Sequence, residues 1–229
     1  MKRYLTIVLF LFITYNGLTQ IDHFFSGGWN FMYATNKGFN TIIDHFNNRQ
    51  PQIAQPMKHL NYVNGFSLTF GKKISDRLFT QYRFKISGNS QHAKVYQIDS
   101  IIGERRIGFR SFSSEFDLGY HLFSPYNHNL IFGISVMQEW IKLYTSTSGR
   151  NYNEIQHGLS LSGFLTYIIP FSSNEKSLGL ACRIYYQYSI LPYSVKNIDN
   201  EVNNTHLIGK MKNYNSTFGL EISLPILFL

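Results

Sequence analysis

From Gly27 to Leu224 the chain repeats one hydrophobic pattern about eight times, with apolar residues alternating with small or polar ones before each turn-rich stretch. Residues 65–71 and 178–188 are two examples. Successive side chains of a β-strand point to opposite faces, so this alternation predicts strands with an apolar row and a polar row. The apolar row is rich in Phe, Tyr, Leu and Ile. A soluble barrel buries such a row, whereas a membrane barrel turns it towards lipid.

The alternation predicts an even number of strands, as outer-membrane barrels formed by one bacterial chain require. Residues 105–110 are out of phase with the fourth strand, so we expect a bulge or a strand start near Ser111. The predicted strands are, approximately, residues 27–36, 59–72, 78–87, a fourth ending at 120, 130–144, 157–169, 177–189 and 214–224.

The connections between these strands alternate in length. Those after the second, fourth and sixth strands are short and contain turn-forming residues, at 73–77, 123–129 and 170–176. Those after the first, third, fifth and seventh strands are longer, at 37–58, 88–104, 145–155 and 190–213. Outer-membrane barrels have short periplasmic turns and longer extracellular loops. Both ends of the chain are therefore expected on the periplasmic side.

The amino terminus has the features of an export signal. Lys2 and Arg3 precede an apolar run at 4–15, and Gly17 and Thr19 form a small-x-small cleavage site. This pattern predicts a secretory signal peptide at 1–19 and a barrel domain at 20–229. The run is shorter than the roughly 20 residues that a membrane-spanning helix needs.

Composition narrows the class of protein further. The single cysteine, Cys182, excludes an intramolecular disulfide framework. The net charge is +8, yet no basic cluster with interleaved aromatic residues is present, and we expect no nucleic-acid partner. Both simple solvated charge and a positive surface beside an anionic lipid leaflet account for this balance.

A soluble eight-stranded ligand barrel, such as a lipocalin, is the main structural alternative. It would place the Phe and Tyr row inside and expose nearly every Gly, Ala and Ser. Eight strands leave an interior just wide enough for side chains, so the reverse arrangement is easier to build. The pattern therefore favours an all-β, eight-stranded antiparallel transmembrane β-barrel.

The whole mature chain resembles the small eight-stranded outer-membrane barrels of Gram-negative envelopes, the OmpA/OmpX-like type. The resemblance rests on pattern and on no diagnostic motif. Such families commonly end on an aromatic residue, whereas here Phe228 is penultimate and Leu229 is last. The resemblance implies a location in the cell outer membrane. It also implies contact with outer-membrane lipid and lipopolysaccharide and, through the long loops, with other envelope proteins.

Charged residues collect on the predicted inward row. Opposite charges inside a narrow barrel should pair, because burying an isolated charge is costly. We expect a salt-bridged plug; an ion-selective constriction and a pair of catalytic carboxylates at Glu115 and Asp117 are alternatives. The predicted cluster consists of Arg83, Lys85, Glu115, Asp117, Glu139, Arg183 and Glu221.

The first long loop contains a different periodicity. Phe39, Ile42, Ile43 and Phe46 follow i, i+3, i+4, i+7 spacing, which predicts a short amphipathic helix within residues 37–48. We expect this helix to pack on the barrel rim or partly into its mouth. An exposed contact surface for a partner protein or lipid is the alternative.

Motifs for enzymatic chemistry are weak. The histidines are scattered without metal-ligand spacing, so we expect neither a metal site nor a cofactor. His157 with Ser160 or Ser162 and the nearby Glu154 would suit a lipid-modifying hydrolase, but no nucleophile motif surrounds the serines. We therefore expect a non-enzymatic barrel with a structural or loop-mediated binding role. A small solute or ion channel, and less favourably a lipid-modifying enzyme, are the alternatives.

Overall fold

The computed structural model describes residues 23–50, 52–75, 77–96, 102–123, 129–147, 150–172, 176–203, 212–213 and 216–228. The predicted signal peptide, residues 1–19, lies outside them. The elements in chain order are β1 (His23–Ala34), α1 (Lys37–Arg49), β2 (Ile53–Gln55), β3 (Tyr62–Lys73), β4 (Leu78–Tyr96), β5 (Ile102–Phe123), β6 (Asn129–Thr147), β7 (Arg150–Pro170), β8 (Lys176–Leu191), β9 (Tyr193–Ser194), α2 (Lys196–Asn203), β10 (Lys212–Asn213) and β11 (Ser216–Phe228).

Eight long strands of the described chain close into an antiparallel barrel. They are β1, β3 to β8 and β11, and each pairs with its neighbour in this order. The first and last strands, β1 and β11, pair along their whole common length, from His23 opposite Phe228 to Ala34 opposite Thr217. Closure leaves no unpaired sheet edge within the bilayer, which a membrane-spanning sheet requires. The predicted fold is confirmed, including the helix α1 in the first long loop.

The outward row of the barrel is apolar and exposed. One residue from each barrel strand illustrates this: Trp29, Phe66, Ile86, Phe116, Ile134, Leu161, Tyr186 and Phe218 are all 43–62% exposed. On β4 the outward apolar residues run from Leu78 to Ile86. At the usual rise and tilt this is about 20 Å along the barrel axis. The height is close to the roughly 25 Å apolar band of outer-membrane barrels, so the predicted lipid-facing orientation is confirmed.

We call this outward apolar band the belt. Beyond the belt, on the side away from the short turns, the strands β4 to β7 continue without interruption. The predicted loops at 88–104 and 145–155 are largely strand, since β4 reaches Tyr96 and β6 and β7 are paired up to Thr147 opposite Arg150. The predicted bulge near Ser111 is also absent, because the register between β4 and β5 is unbroken from Tyr96 to Leu78. Both expectations were wrong.

Residues 105–110 are out of phase because the environment inverts. Ile107 and Phe109 occupy the same inward row as Ser111 and Glu115, but they are buried against apolar residues of α1 and β6. Inside the belt the barrel is polar within and apolar outside; beyond it the interior is apolar and the outer face polar. We call the described part beyond the belt, residues 35–50, 52–61, 88–96, 102–110, 141–147, 150–158 and 192–203, the head.

Two apolar clusters lie at opposite ends of the barrel interior. The head cluster combines α1, β9 and α2 with the inward residues of the extended strands, among them Phe39, Leu143 and Ile198. The second lies near the short turns and includes Phe24 and Leu227. Polar side chains occupy the interior between them. Of the helices in the described ranges, none is long and apolar enough to cross a membrane.

Candidate functional site

The central layer of the barrel interior is built by register. Arg83 on β4 lies opposite Glu115 on β5, and Arg183 on β8 lies opposite Glu221 on β11. Asp117 follows Glu115 on the same inward row. Opposite charges that face each other on neighbouring strands stabilise a sheet. The strand pairing itself therefore brings the predicted charged residues together.

Arg183 is the centre of this charge layer. Its guanidinium Nη1 donates to Asp117 Oδ2 at 2.6 Å, and its Nη2 donates to Glu115 Oε1 at 2.8 Å. Nη2 also donates to Ser135 Oγ at 3.1 Å. The guanidinium carbon lies 3.7 Å from the centroid of the Phe164 ring. Arginine suits this position because its planar fork serves two carboxylates while its face stacks on a ring.

Arg83 and Lys85 complete the layer from β4. Lys85 Nζ is 2.5 Å from Glu115 Oε2, and Arg83 Nη1 is 3.4 Å from the same oxygen. Arg83 is also 3.3 Å from Asp117 Oδ2 and 3.5 Å from Glu221 Oε2. All five side chains in these contacts are at most 4% exposed: Arg83, Lys85, Glu115, Asp117 and Glu221. A buried layer of mutually paired charges crosses the interior, and its cations and carboxylates are oriented towards each other.

Glu139 stands apart from the layer. Its carboxylate Oε2 accepts from Ser160 Oγ at 3.5 Å, and among the described residues no cation lies within 4 Å of it. It lines a cavity of about 40 Å³ with Ser111 and Gln187, on the side of the charge layer nearer the head. Phe109 and Tyr193 line the same cavity. Six residues of the predicted cluster form the charge layer. The seventh, Glu139, lies nearer the head.

The head closes the same end of the barrel. Phe39, Ile42 and Ile43 are fully buried and Phe46 is 5% exposed, so the apolar stripe of α1 faces the barrel mouth. Two asparagines fasten the helix to the segment that follows it. Asn47 exchanges two bonds with the backbone of Met57, at 3.0 and 3.1 Å, and Asn40 accepts from the Leu60 amide at 3.0 Å.

A cleft of about 450 Å³ opens on the head. Arg150 Nη2 is 3.2 Å from the Glu201 carboxylate, and Arg105 donates to the Glu201 backbone oxygen. Burial lowers the pKa of the Arg105 guanidinium, an effect that Glu201 opposes. Burial and the Glu154 carboxylate raise the pKa of Tyr152, whose hydroxyl donates to Glu154 at 3.3 Å. Glu201 therefore takes part in both charged contacts described at this cleft, one through its carboxylate and one through its backbone oxygen.

The residues considered for a hydrolase do not meet. His157 points outward from β7 against the Trp140 ring, with ring centroids 6.4 Å apart. Ser160 and Ser162 point inward and are buried. Since the two faces of a strand are separated by the sheet, His157 cannot activate either serine.

Sequence reasoning missed the aromatic residues of the interior. Tyr185 is 2% exposed and Lys85 Nζ lies 4.4 Å from its ring centroid. Gly219 makes room for this ring, because a Cβ there would overlap it. Phe24 is seated against Gly71 in the same way. An aromatic residue on the inward row opposite a glycine was the available signal.

The belt of exposed apolar residues around a closed sheet has one physical use. Exposing these apolar side chains to water would be unfavourable, whereas lipid covers them without this cost. Membrane-spanning β-barrels of this kind belong to outer membranes.

One known structure supports this architecture at a TM-score of 0.50. Ail, the attachment invasion locus protein of Yersinia pestis, in complex with the heparin analogue sucrose octasulfate, aligns with a TM-score of 0.50 and 10% identity. The alignment covers 92% of this chain and 100% of that chain. The fold is that of an eight-stranded outer-membrane barrel. The outer membrane protein OprG from Pseudomonas aeruginosa gives a TM-score of 0.46 at 12% identity, covering 93% of this chain and 98% of that one. Neither a protein-family model nor a curated protein matches the sequence.

Proposed function

We propose that this protein is a non-enzymatic, non-conducting outer-membrane barrel that holds a rigid head outside the membrane for contact with a partner. The observation that carries the proposal is the double closure of the interior. The charge layer blocks the barrel within the belt, and the α1 side chains block it at the head. A fold alone does not assign a function, so the argument rests on this interior.

The composition of the charge layer supports a plug more than an ion pathway. A selectivity filter presents charges of one sign to the passing ion and binds it weakly enough to release it. Here Arg183 and Arg83 face Glu115 and Asp117 across bonds of 2.6–3.4 Å. An entering ion would have to break these contacts among buried side chains, where unpaired charges are costly.

The head supports the binding part of the proposal. The strands β4 to β7 carry it beyond the belt as one continuous sheet, and the helices fill that sheet from inside. A rigid surface loses little conformational entropy when a partner binds. The polar outer face and the cleft beside Arg150 and Glu201 are the surfaces it offers. Proteins of the envelope or of a neighbouring cell surface are the partners we propose.

Conductance in planar lipid bilayers tests the closed interior. The wild-type protein should insert and give no steady current at moderate voltage and neutral pH. The comparison is a variant that lacks both closures, Arg83→Ala, Arg183→Ala with the α1 residues 37–49 removed, which should conduct if it folds. The double variant Arg83→Ala, Arg183→Ala with α1 in place should stay silent, because the head still closes the barrel. Stable, ion-selective current steps from the wild-type protein would overturn the proposal and favour the channel.

A further inference from the structure

A cavity of about 280 Å³ lies at the end of the barrel that carries the short turns. Its lining comes from the strand ends on this side, among them the start of β1, the end of β3 and the start of β6. Short turns face the periplasm in outer-membrane barrels. The barrel wall surrounds the cavity, since β1 and β11 are paired as far as His23 opposite Phe228. A ligand would therefore enter it from the periplasm.

The floor of this cavity is apolar. The Phe24 and Phe79 rings stack there, with centroids 5.3 Å apart and an interplanar angle of 22°. Ile131, Ile168 and Leu227 line the same cavity and are at most 8% exposed. None of these five side chains has a hydrogen-bonding group. A bound molecule must therefore present hydrocarbon here, because a polar group would lose its water without gaining a partner.

The floor also ends the cavity. Phe24 and Ile131 belong to the same apolar cluster as Phe164. The Phe164 ring is in turn stacked on the Arg183 guanidinium of the charge layer, 3.7 Å from ring centroid to guanidinium carbon. Packed apolar side chains therefore separate the cavity from the charge layer. A molecule bound here would occupy a dead end and would not pass through the barrel.

The rim of the cavity carries cations. Lys73 lies at the end of β3, and Arg77 lies in the turn before β4. This turn is fixed, because the His121 amide donates to the Arg77 carbonyl at 2.8 Å and Arg77 Nη1 donates to the Tyr120 hydroxyl at 3.1 Å. The His121 ring also lines the cavity and donates to Asn129 at 2.8 Å. Of the described residues that line the cavity, none is acidic. The rim therefore favours an anionic group.

We propose that this cavity binds a single-chain fatty acid, with its acyl chain against the Phe24 and Phe79 rings and its carboxylate at Lys73 and Arg77. The volume is close to the lower limit of roughly 300 Å³ for small-molecule sites. It suits one chain of medium length and not the two chains of a phospholipid. A hydrophobic peptide with a free carboxylate fits less well, because its backbone amides would meet no hydrogen-bond partner at the floor.

Methyl NMR of the protein in zwitterionic nanodiscs, titrated with decanoate, tests the site. The methyl resonances of Ile131 and Ile168 should shift and saturate, because both side chains line the cavity. The exposed Ile134 in the belt is the internal control. Its resonance should show only the gradual change that decanoate causes by dissolving in the bilayer.

Variants of the rim test the carboxylate contact. The double variant Lys73→Ala, Arg77→Ala should bind decanoate about tenfold more weakly, since two charge-assisted contacts are lost. The matched control Lys58→Ala, Lys196→Ala removes two exposed cations of the head and should bind as the wild type does. Decanol, which has the chain without the charge, should bind the wild type no better than decanoate binds the rim variant.

Three results would count against these proposals. The absence of a saturable shift at Ile131 and Ile168 in the wild type would overturn the site, as would equal decanoate affinity of the wild type and the folded rim variant. Tighter binding of a hydrophobic peptide than of decanoate would overturn the choice of a fatty acid. Bilayer conductance of the same preparations keeps the proposals distinct: a silent barrel that does not bind decanoate leaves the proposed function standing, and a conducting barrel that binds it contradicts the proposed function alone.

Discussion

Arg183 pairs with two carboxylates at once because it lies on the inward row of β8. Its two neighbours in the sequence lie on the outward row. Cys182 and Ile184 face outward and are exposed, whereas Arg183 is 2% exposed and bonded to Glu115 and Asp117. Alternation along β8 predicts which residues share a face. It does not predict how deep each residue lies, which is why Glu139 was grouped with the layer although it faces the cavity near the head.

Replacing Arg183 by methionine should destabilise the barrel strongly. The substitution preserves much of the side-chain volume but leaves the buried carboxylates of Glu115 and Asp117 with less opposing charge. Removing one partner from a buried ion pair typically costs about 3–5 kcal/mol. Chemical unfolding of Arg183→Met in lipid vesicles, followed by tryptophan fluorescence, measures the loss.

The neighbouring variant Cys182→Ala is the control for this measurement. Its side chain points to lipid, so the free energy of unfolding should stay close to that of the wild type. If Arg183→Met unfolded at the same denaturant concentration as Cys182→Ala, the charge layer would not be a stabilising structure.

At the scale of elements, the strands were predictable within the belt and less so beyond it. Period two with apolar residues outward holds from Phe112 to Tyr120 on β5. Beyond Ser111 the inward row becomes apolar, at Phe109 and Ile107, because α1 replaces polar contacts with a packed core. The strand continues across this boundary, but its apolar residues change from the outward row to the inward row. A prediction that assumes a polar interior along the whole strand therefore places the end of the strand too early.

The helix α1 should be held by its apolar face. Truncating the fully buried Phe39 to alanine removes contacts with Phe109 and Tyr193 and should weaken the head by about 3–5 kcal/mol. Hydrogen exchange should then speed up in α1 while β8 and β11 within the belt keep their protection. Thr41→Ala, on the exposed side of the same helix, is the matched control and should leave exchange in α1 nearly unchanged. Equal exchange in the two variants would mean that α1 is not anchored by this cluster.

For the whole molecule, two environments of opposite polarity share one continuous sheet. Within the belt the outer face of β6 exposes Ile134 and Val136, and in the head the same row exposes Lys142. A soluble barrel would have no reason to change its outer face at one height. The membrane imposes this change, because apolar side chains gain nothing from water and charges gain nothing from hydrocarbon.

Arginine scanned along the outer face of β6 tests this depth dependence. Ile134→Arg places a charge near the middle of the belt and should destabilise the folded barrel in lipid by about 2–4 kcal/mol, whereas near the interfaces the same change costs about 0–1 kcal/mol. Ser146→Arg, on the same row in the head, is the matched control and should have almost no effect. Unfolding free energies in vesicles supply the measurement. Equal values at both positions would show that lipid does not surround the belt, and the membrane orientation on which both proposals depend would then be wrong.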